Sequence, residues 1–350
     1  MNLTAAIGAY RIDRMLQLML LVPLLIGVQP AGEMPPIGVI EIYGARRVTE
    51  QQILQASQLK LGDSFPSAAV VREAKARITK IPGVSEVRLT GGCCDEGQST
   101  ISIGIQEVGA AALRFRAEPR GSVRLPDDIV KAGAAFDEVM EQAVLSGHTE
   151  DDGSQGHSLV KDPAVRAIQE RFVVFAARDL SRLRAVLRDA SDASQRALAA
   201  QVIAYTSDKR AVIGDLIEGM QDPSYAVRNN AMRALALIAM LGQRNPTLGI
   251  VVPPTPFVDL LNSIEWSDLN KSTLALAALT EARDPILMAD LRARALPSLF
   301  EMARWKSHGH AEAPFVVLGR LVGLHDDEIQ AAFERGDRAL VLDAAAKLAK

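Results

Sequence analysis

Three groups of side chains in the 350-residue sequence have types and spacings that could do chemistry. His308 and His310 stand two apart, with His325, Asp326 and Asp327 further along. A His-x-His pair near carboxylates is a donor set for a divalent metal, yet no further flanking ligand accompanies it. The expectation is solvated histidines in a loop from Lys306 to Ala313. His148 and His157 bracket Glu150, Asp151 and Asp152 in the polar stretch 147–156, whose spacing matches neither an EF-hand nor a zinc motif. That stretch reads as a hinge or an exposed flexible loop. Cys93 and Cys94 are the only cysteines. Neighbouring cysteines rarely bridge each other, and two thiolates do not close a structural zinc site. They read as a loop feature. No Gly-rich phosphate loop, nucleophile elbow or kinase signature occurs. No catalytic, cofactor-binding or metal-ligating residue is assigned, and no cofactor is expected.

The elements that would position such groups follow from composition. Hydrophobic residues make up 48% of the chain but aromatics only 4%, which favours closely packed helices rich in small aliphatic side chains. The 39 Lys and Arg against 42 Asp and Glu are interleaved, leaving a formal charge of −3. That balance lacks the basic footprint of a nucleic-acid binder or of a polybasic membrane patch.

Arg11 and Arg14 precede Met15 to Val28, a run of 14 residues without a charge. A basic start and a short apolar run fit a secretory signal, and the run falls below the ~18–20 residues of a spanning helix. Cleavage is expected near Ala31, although Gln29 is not the small residue preferred three positions before it. Residues 1–31 are therefore read as a signal peptide or short anchor, and the chain as exported, periplasmic or associated with the cell envelope. Membrane association is expected only through this segment.

Residues 36–108 read as a small α+β module of order β-α-α-β-β. Ile37, Val39, Ile40 and Ile42 form the first strand. Thr49 with Gln52 makes a capping box for a helix carrying Ile53, Leu54, Leu59 and Leu61. Ser67 caps a second helix whose apolar face is Val70, Val71, Ala74 and Ile78. Val84, Val87 and Leu89 begin a strand, followed by a turn-rich loop from Gly91 to Gly97. Ile101, Ile103 and Ile105 then alternate with Ser102, Gly104 and Gln106, apolar inward and polar outward. Ile40-Glu41-Ile42-Tyr43-Gly44, Gly62-Asp63-Ser64-Phe65, Ile81-Pro82-Gly83-Val84-Ser85-Glu86-Val87 and Ile103-Gly104-Ile105-Gln106-Glu107 follow in an order that resembles the POTRA (polypeptide-transport-associated) domain. The resemblance implies an envelope setting and a docking role in which the second strand lies at a sheet edge. Here that strand is Ser85, Glu86, Val87, Arg88, Leu89 and Thr90, the candidate partner-binding edge. An open edge can accept a partner strand, and Glu86 and Arg88 can equally guard it against aggregation. No barrel strands follow, unlike the best-known members.

Residues 109–163 form a connector. Leu113 to Arg116 is a strand or an extended linker. Asp127 is placed as the cap of a helix bearing Ile129, Ala132, Phe136, Val139, Met140 and Val144. Residues 164–336 then carry an internal repeat: Arg196 aligns with Arg228, Ala199 with Ala231 and Ile203 with Leu235, each pair 32 apart. An acidic turn precedes each helix, Asp189 to Asp192 and Asp222 to Tyr225. Asp222-Pro223-Ser224-Tyr225-Ala226-Val227-Arg228 is similar to the HEAT repeat, a resemblance that implies packing of the arginine against the neighbouring repeat's turn. About four helix pairs are expected: the long stretch from Ala164 to Leu187 leading to the Arg196 helix, Ala211 to Met220 leading to the Arg228 helix, Phe257 to Ile264 with Asp268 to Leu279, and a looser pair, Ile286 to Ala303 with Ala313 to Leu324. Leu248 to Pro256 is an insertion that tucks under the stack or meets a partner. The tail 337–350 is a cap helix with Leu340, Leu342, Ala345 and Leu348 on its apolar face.

The fold class is thus multidomain, a small α+β domain followed by an all-α HEAT-like solenoid. The function expected is a non-catalytic exported scaffold that binds protein partners in the envelope and no nucleic acid. The alternative is an envelope enzyme or lyase-like factor holding a ligand or metal on the helices.

Overall fold

The computed structural model describes residues 34–95 and 97–348. The expected signal segment lies outside them. In chain order the first elements are β1 (Ile37–Tyr43), α1 (Glu50–Ser57), α2 (Ala68–Ile78), β2 (Val84–Asp95) and β3 (Gln98–Glu107). Then come α3 (Asp127–Leu145), β4 (Asp151–Asp152), β5 (Leu159–Val160), α4 (Pro163–Asp189), α5 (Ala193–Ile203), α6 (Arg210–Gly219) and α7 (Tyr225–Arg244). The last helices are α8 (Thr255–Leu260), α9 (Trp266–Leu279), α10 (Pro285–Arg294), α11 (Leu296–Met302), α12 (His308–Leu321), α13 (Asp326–Glu334) and α14 (Ala339–Leu348). A sheet region followed by many helices is the layout observed. The chain divides into two compact units: a repeat unit, Arg114–Phe257 with Leu274–Ala282, and a sheet unit, residues 34–113, Val258–Thr273 and 283–348.

In the sheet unit β3 is central, parallel to β1 and antiparallel to β2. Ile40 pairs with Ile101, Ile42 with Ile103, Leu89 with Ile103 and Val87 with Ile105, so one face is a continuous apolar stripe. Helices α1 and α2 bury Ile53, Val71, Ala74 and Ile78 against it. Local chemistry sets their ends. Thr49 makes the capping box with Gln52, and Ser67 accepts from the Val70 N–H. Helix α1 stops at Gln58, which has φ 60, so Leu59 is buried from outside the helix and Leu61 is 65% exposed. Val70 is also exposed; the buried face of α2 is Val71, Ala74 and Ile78. Strand β2 continues through the residues expected as a loop, with Gly91 opposite Ile101 and Gly92 opposite Thr100. A one-residue register shift between Gly92 and Asp95 absorbs the extra length.

The second face of the sheet departs from the alternation read in the sequence. Ser102 is 3% exposed and Gly104 is buried, because the segment around Ile264 and the turn before α12 cover them. Tyr43 donates to the Ile264 carbonyl at 3.1 Å and its ring lies 5.6 Å from that of Trp305. Glu41, 4% exposed, accepts from the Lys306 and Ser307 N–H groups. Burial raises its pKa, and those backbone donors oppose the rise. A Cβ on Gly104 would stand 2.0 Å from the Ile264 carbonyl oxygen and 2.8 Å from the Tyr43 ring. Gly104→Ala is therefore expected to cost about 1–3 kcal/mol or more, since neither neighbour is a free side-chain end. Urea unfolding followed by fluorescence of Trp266 and Trp305, both in this unit, reads the loss.

The remaining helices of the sheet unit also depart from expectation. The first helix of the looser pair is broken in two, α10 and α11, where Ala295 leaves helical geometry and Pro297 starts the next turn. His308 and His310 lie on α12, not in a loop, and His310 is buried against Trp266 at 4.9 Å between ring centroids. The tail helix α14 buries Val341 and Ala345, while Leu340 and Leu348 are exposed. His325 is the N-cap of α13.

In the repeat unit α4 packs with α5 and α6 with α7. Asp192 caps α5 by accepting from the Ser194 and Gln195 N–H groups, and Asp222 accepts from the Ser224 N–H ahead of α7. The small residues Ala199, Ala200 and Ala231 are fully buried and let the helices close. Helix α3 has no side-chain cap; Pro126 precedes it, and its buried face runs Ile129, Ala132, Phe136, Met140 and Ala143. No strand forms over Leu113 to Arg116.

Candidate protein-binding surface

Strand β2 lies at an edge of the sheet, bonded to β3 alone. Along it Val87 and Leu89 are buried beneath the helices, while Ser85, Glu86 and Arg88 are exposed. Glu86 and Arg88 pair with each other at 2.6 Å on the same face, and Thr90 donates to Glu265 at 3.3 Å. Among the described residues, no backbone hydrogen bond joins Ser85 to Thr90 to any segment other than β3. The other edge is partly closed. There Ile37 donates to the Asp63 carbonyl at 2.9 Å, and Gly62 donates back to Ile37 at 2.8 Å. One face of the sheet is covered by α1 and α2 and the other is covered over β1 and β3, so the outer side of β2 is where a further strand would find unpaired backbone groups.

Glu107 anchors the end of this edge. Its Oε1 accepts from the N–H groups of Arg46 (3.0 Å), Arg47 (2.7 Å) and Val48 (2.8 Å), and Oε2 accepts from Arg47 Nε at 3.0 Å. Burial alone would raise the pKa of this carboxyl. The Val48 and Arg47 donors and their neighbours outweigh it and hold the value down at about 2. Because Glu107 pairs with Val84, the same clamp holds the start of β2 in register.

The repeat unit carries the strongest buried ion network. Arg196 and Asp222 are both 0% exposed and meet through two bonds of 2.9 Å. The bond to Asp222 is the packing of arginine on the neighbouring repeat's turn that the repeat pattern implies; Arg196 also donates to the Ala190 carbonyl of its own preceding turn at 2.8 Å. Arg228 repeats the contact on the Asp222 carbonyl at 2.9 Å and stacks 3.9 Å over the Phe115 ring. The connector completes the network in a way the sequence did not signal: Arg116 reaches Asp222 at 2.6 Å and Glu118 reaches Arg196 at 2.7 Å.

The acidic stretch expected as an exposed hinge is instead largely ordered against the repeats. Strands β4 and β5 pair as a short hairpin, and Asp151, His157 and Ser158 are buried. Ser158 donates to Asp151 at 2.7 Å and accepts from Gln169 and Arg233. His157 Nδ1 lies 2.8 Å from Lys209 Nζ. Burial, then the Lys209 charge, holds the His157 pKa down at about 4, and burial pulls Lys209 down to about 8. No cluster of three or more His, Cys, Asp or Glu side chains among the described residues could hold a metal ion. The sheet unit has a pocket of about 690 Å³ walled by Glu41, Arg46, Phe300, Glu301, Arg304 and Lys306. The buried Glu41 and the half-buried Glu301 are already engaged. Glu41 binds backbone N–H groups, and Glu301 accepts from the Gly44 N–H and from Arg46.

No family model matches the chain. No curated protein matches it either. Among solved structures it is similar to computationally designed armadillo repeat proteins for modular peptide recognition, at 16% identity and a TM-score of 0.36, over 54% of this chain and 94% of that one. A designed armadillo repeat protein in complex with the peptide (KR)4 gives 16% identity and a TM-score of 0.36, over 63% of this chain and 98% of that one. Both overlaps are too loose to carry a function across. No described helix is long and apolar enough to cross a membrane.

Proposed function

We propose that this chain is a non-catalytic scaffold of the cell envelope that binds an extended segment of a protein partner on the outer edge of β2. The carrying observation is the run from Ser85 to Thr90 at the sheet edge, whose backbone hydrogen bonds go to β3 alone among the described residues. A partner strand there would gain main-chain hydrogen bonds, while the exposed Glu86 and Arg88 would sort partners by charge. The helical repeats give the scaffold further surface. Export rests on the basic and apolar pattern of residues 11–28.

Successive residues of a strand point their N–H groups to opposite sides. Of Val87→Pro and Arg88→Pro, one therefore removes an outward N–H and spares the β3 ladder, while the other breaks the ladder. The variant that stays folded by circular dichroism is expected to lose, at least tenfold, the partners captured from envelope fractions by the whole chain. Undiminished capture of the same partners by the folded variant would contradict the proposal.

A further inference from the structure

The outer edge of β2 carries a charge pattern that is complementary to itself. Glu86 and Arg88 stand two residues apart, exposed and on one face, and within a single chain they pair with each other at 2.6 Å. When two copies of one strand pair antiparallel about a twofold axis, the residue on the axis faces itself and its neighbours face each other. An axis at Glu86 sets Glu86 against Glu86, and an axis at Arg88 sets Arg88 against Arg88. An axis at Val87 sets Glu86 opposite Arg88 of the second copy, twice over. It also sets Val87 against Val87 on the buried face beneath the helices. Opposite charges directly across a strand pair attract and like charges repel, so charge selects this one register.

We infer, on the reading of β2 as an open edge, that the strand it takes is β2 of a second copy of this chain, paired antiparallel about a twofold axis at Val87. The pairing closes the assembly. The strand order becomes β1-β3-β2-β2-β3-β1, twice the 3-stranded order of one copy. Both outer edges of that sheet are β1, where Ile37 already exchanges backbone hydrogen bonds with Asp63 and Gly62. Each copy spends its β2 edge once, so association ends at two chains instead of growing into a fibre. One strand pair is a small contact, and the dimer is expected to form reversibly at about micromolar concentrations and above.

The test is sedimentation velocity on the full chain, with folding of each variant checked by circular dichroism. Wild type is expected to pass from monomer to dimer, and no further, as its concentration rises to about 100 µM. Glu86→Arg and Arg88→Glu each set like charges across the axis twice and should weaken the dimer by about tenfold or more. An equimolar mixture of these two variants should associate again, because each then meets the opposite charges. The double variant, Glu86→Arg with Arg88→Glu, should behave as wild type. A wild type that stays monomeric over that range, a dimer indifferent to both reversals, or a mixture that fails to associate would overturn the inference. If wild type is monomeric yet captures envelope partners that the folded proline variant loses, the open edge stands and the second copy as its occupant fails.

Discussion

Asp222→Ala is expected to destabilise the repeat unit by about 3–5 kcal/mol, the range for removing one partner of a buried ion pair. Both charges of the Arg196–Asp222 pair are 0% exposed, so the loss is not softened by water. Without Asp222 the Arg196 guanidinium keeps the Ala190 and Ser191 carbonyls and Glu118, whose side chain is 57% exposed. Arg116 loses the same carboxylate at 2.6 Å, and the Ser224 N–H loses its acceptor at 2.9 Å. Hydrogen exchange of peptides from α5 and α7 reads the change locally, which avoids assuming that two units unfold as one. Replacing both partners by apolar residues, Asp222→Leu with Arg196→Met, should recover part of the loss, because the unpaired charge is then gone. The pH dependence carries a sign. Burial opposes the charged form of Asp222, but hydrogen bonds from Arg196 and Arg116 hold its pKa below the ordinary 3.8. Its contribution is therefore fully present above pH 3.8 and is lost as pH falls through the folded value. The variant should lack that acid-side loss.

Glu107→Ala is expected to cost the sheet unit about 2–4 kcal/mol. Three backbone N–H groups at Arg46, Arg47 and Val48 would lose one shared acceptor, and Arg47 Nε would lose its carboxylate. Glu107→Gln keeps an acceptor oxygen but no charge, and a smaller loss is expected. The folded pKa of about 2 lies below the ordinary 4.5, so wild type should lose this stabilisation as pH falls from about 4.5 to about 2. Trp305, whose ring meets Tyr43 of β1, makes tryptophan fluorescence a direct reporter. Because Glu107 pairs with Val84, the alanine variant should also fray the start of β2 and weaken partner capture more than its stability loss alone would.

Much of this was legible in the sequence where one local rule decided the outcome. The Thr49 and Ser67 caps, the Ile101, Ile103 and Ile105 stripe and the Arg196 and Arg228 turns each depend on residues a few positions apart. What escaped the sequence depends on distant partners. Ser102 and Gly104 read as solvent-facing because a polar or small residue in a strand usually is. The layer that buries them comes from positions such as Ile264 and Ser307, more than 150 residues on. His157 read as a loop residue for the same reason, since Lys209 stands 52 residues away. The break at Ala295 was locally marked by Pro297, and the hydrophobic spacing on either side hid it. Along β2 the exposed run was visible; that the second face of the sheet is covered over β1 and β3 was not.

The central claim is that the outer edge of β2 takes a partner strand. Hydrogen–deuterium exchange of the full chain, alone and with its captured partner, tests it most directly. Protection gained by amides between Ser85 and Thr90, at least tenfold in exchange rate, is the predicted result. Unchanged exchange there, with protection confined to the helices of the repeat unit, would contradict it.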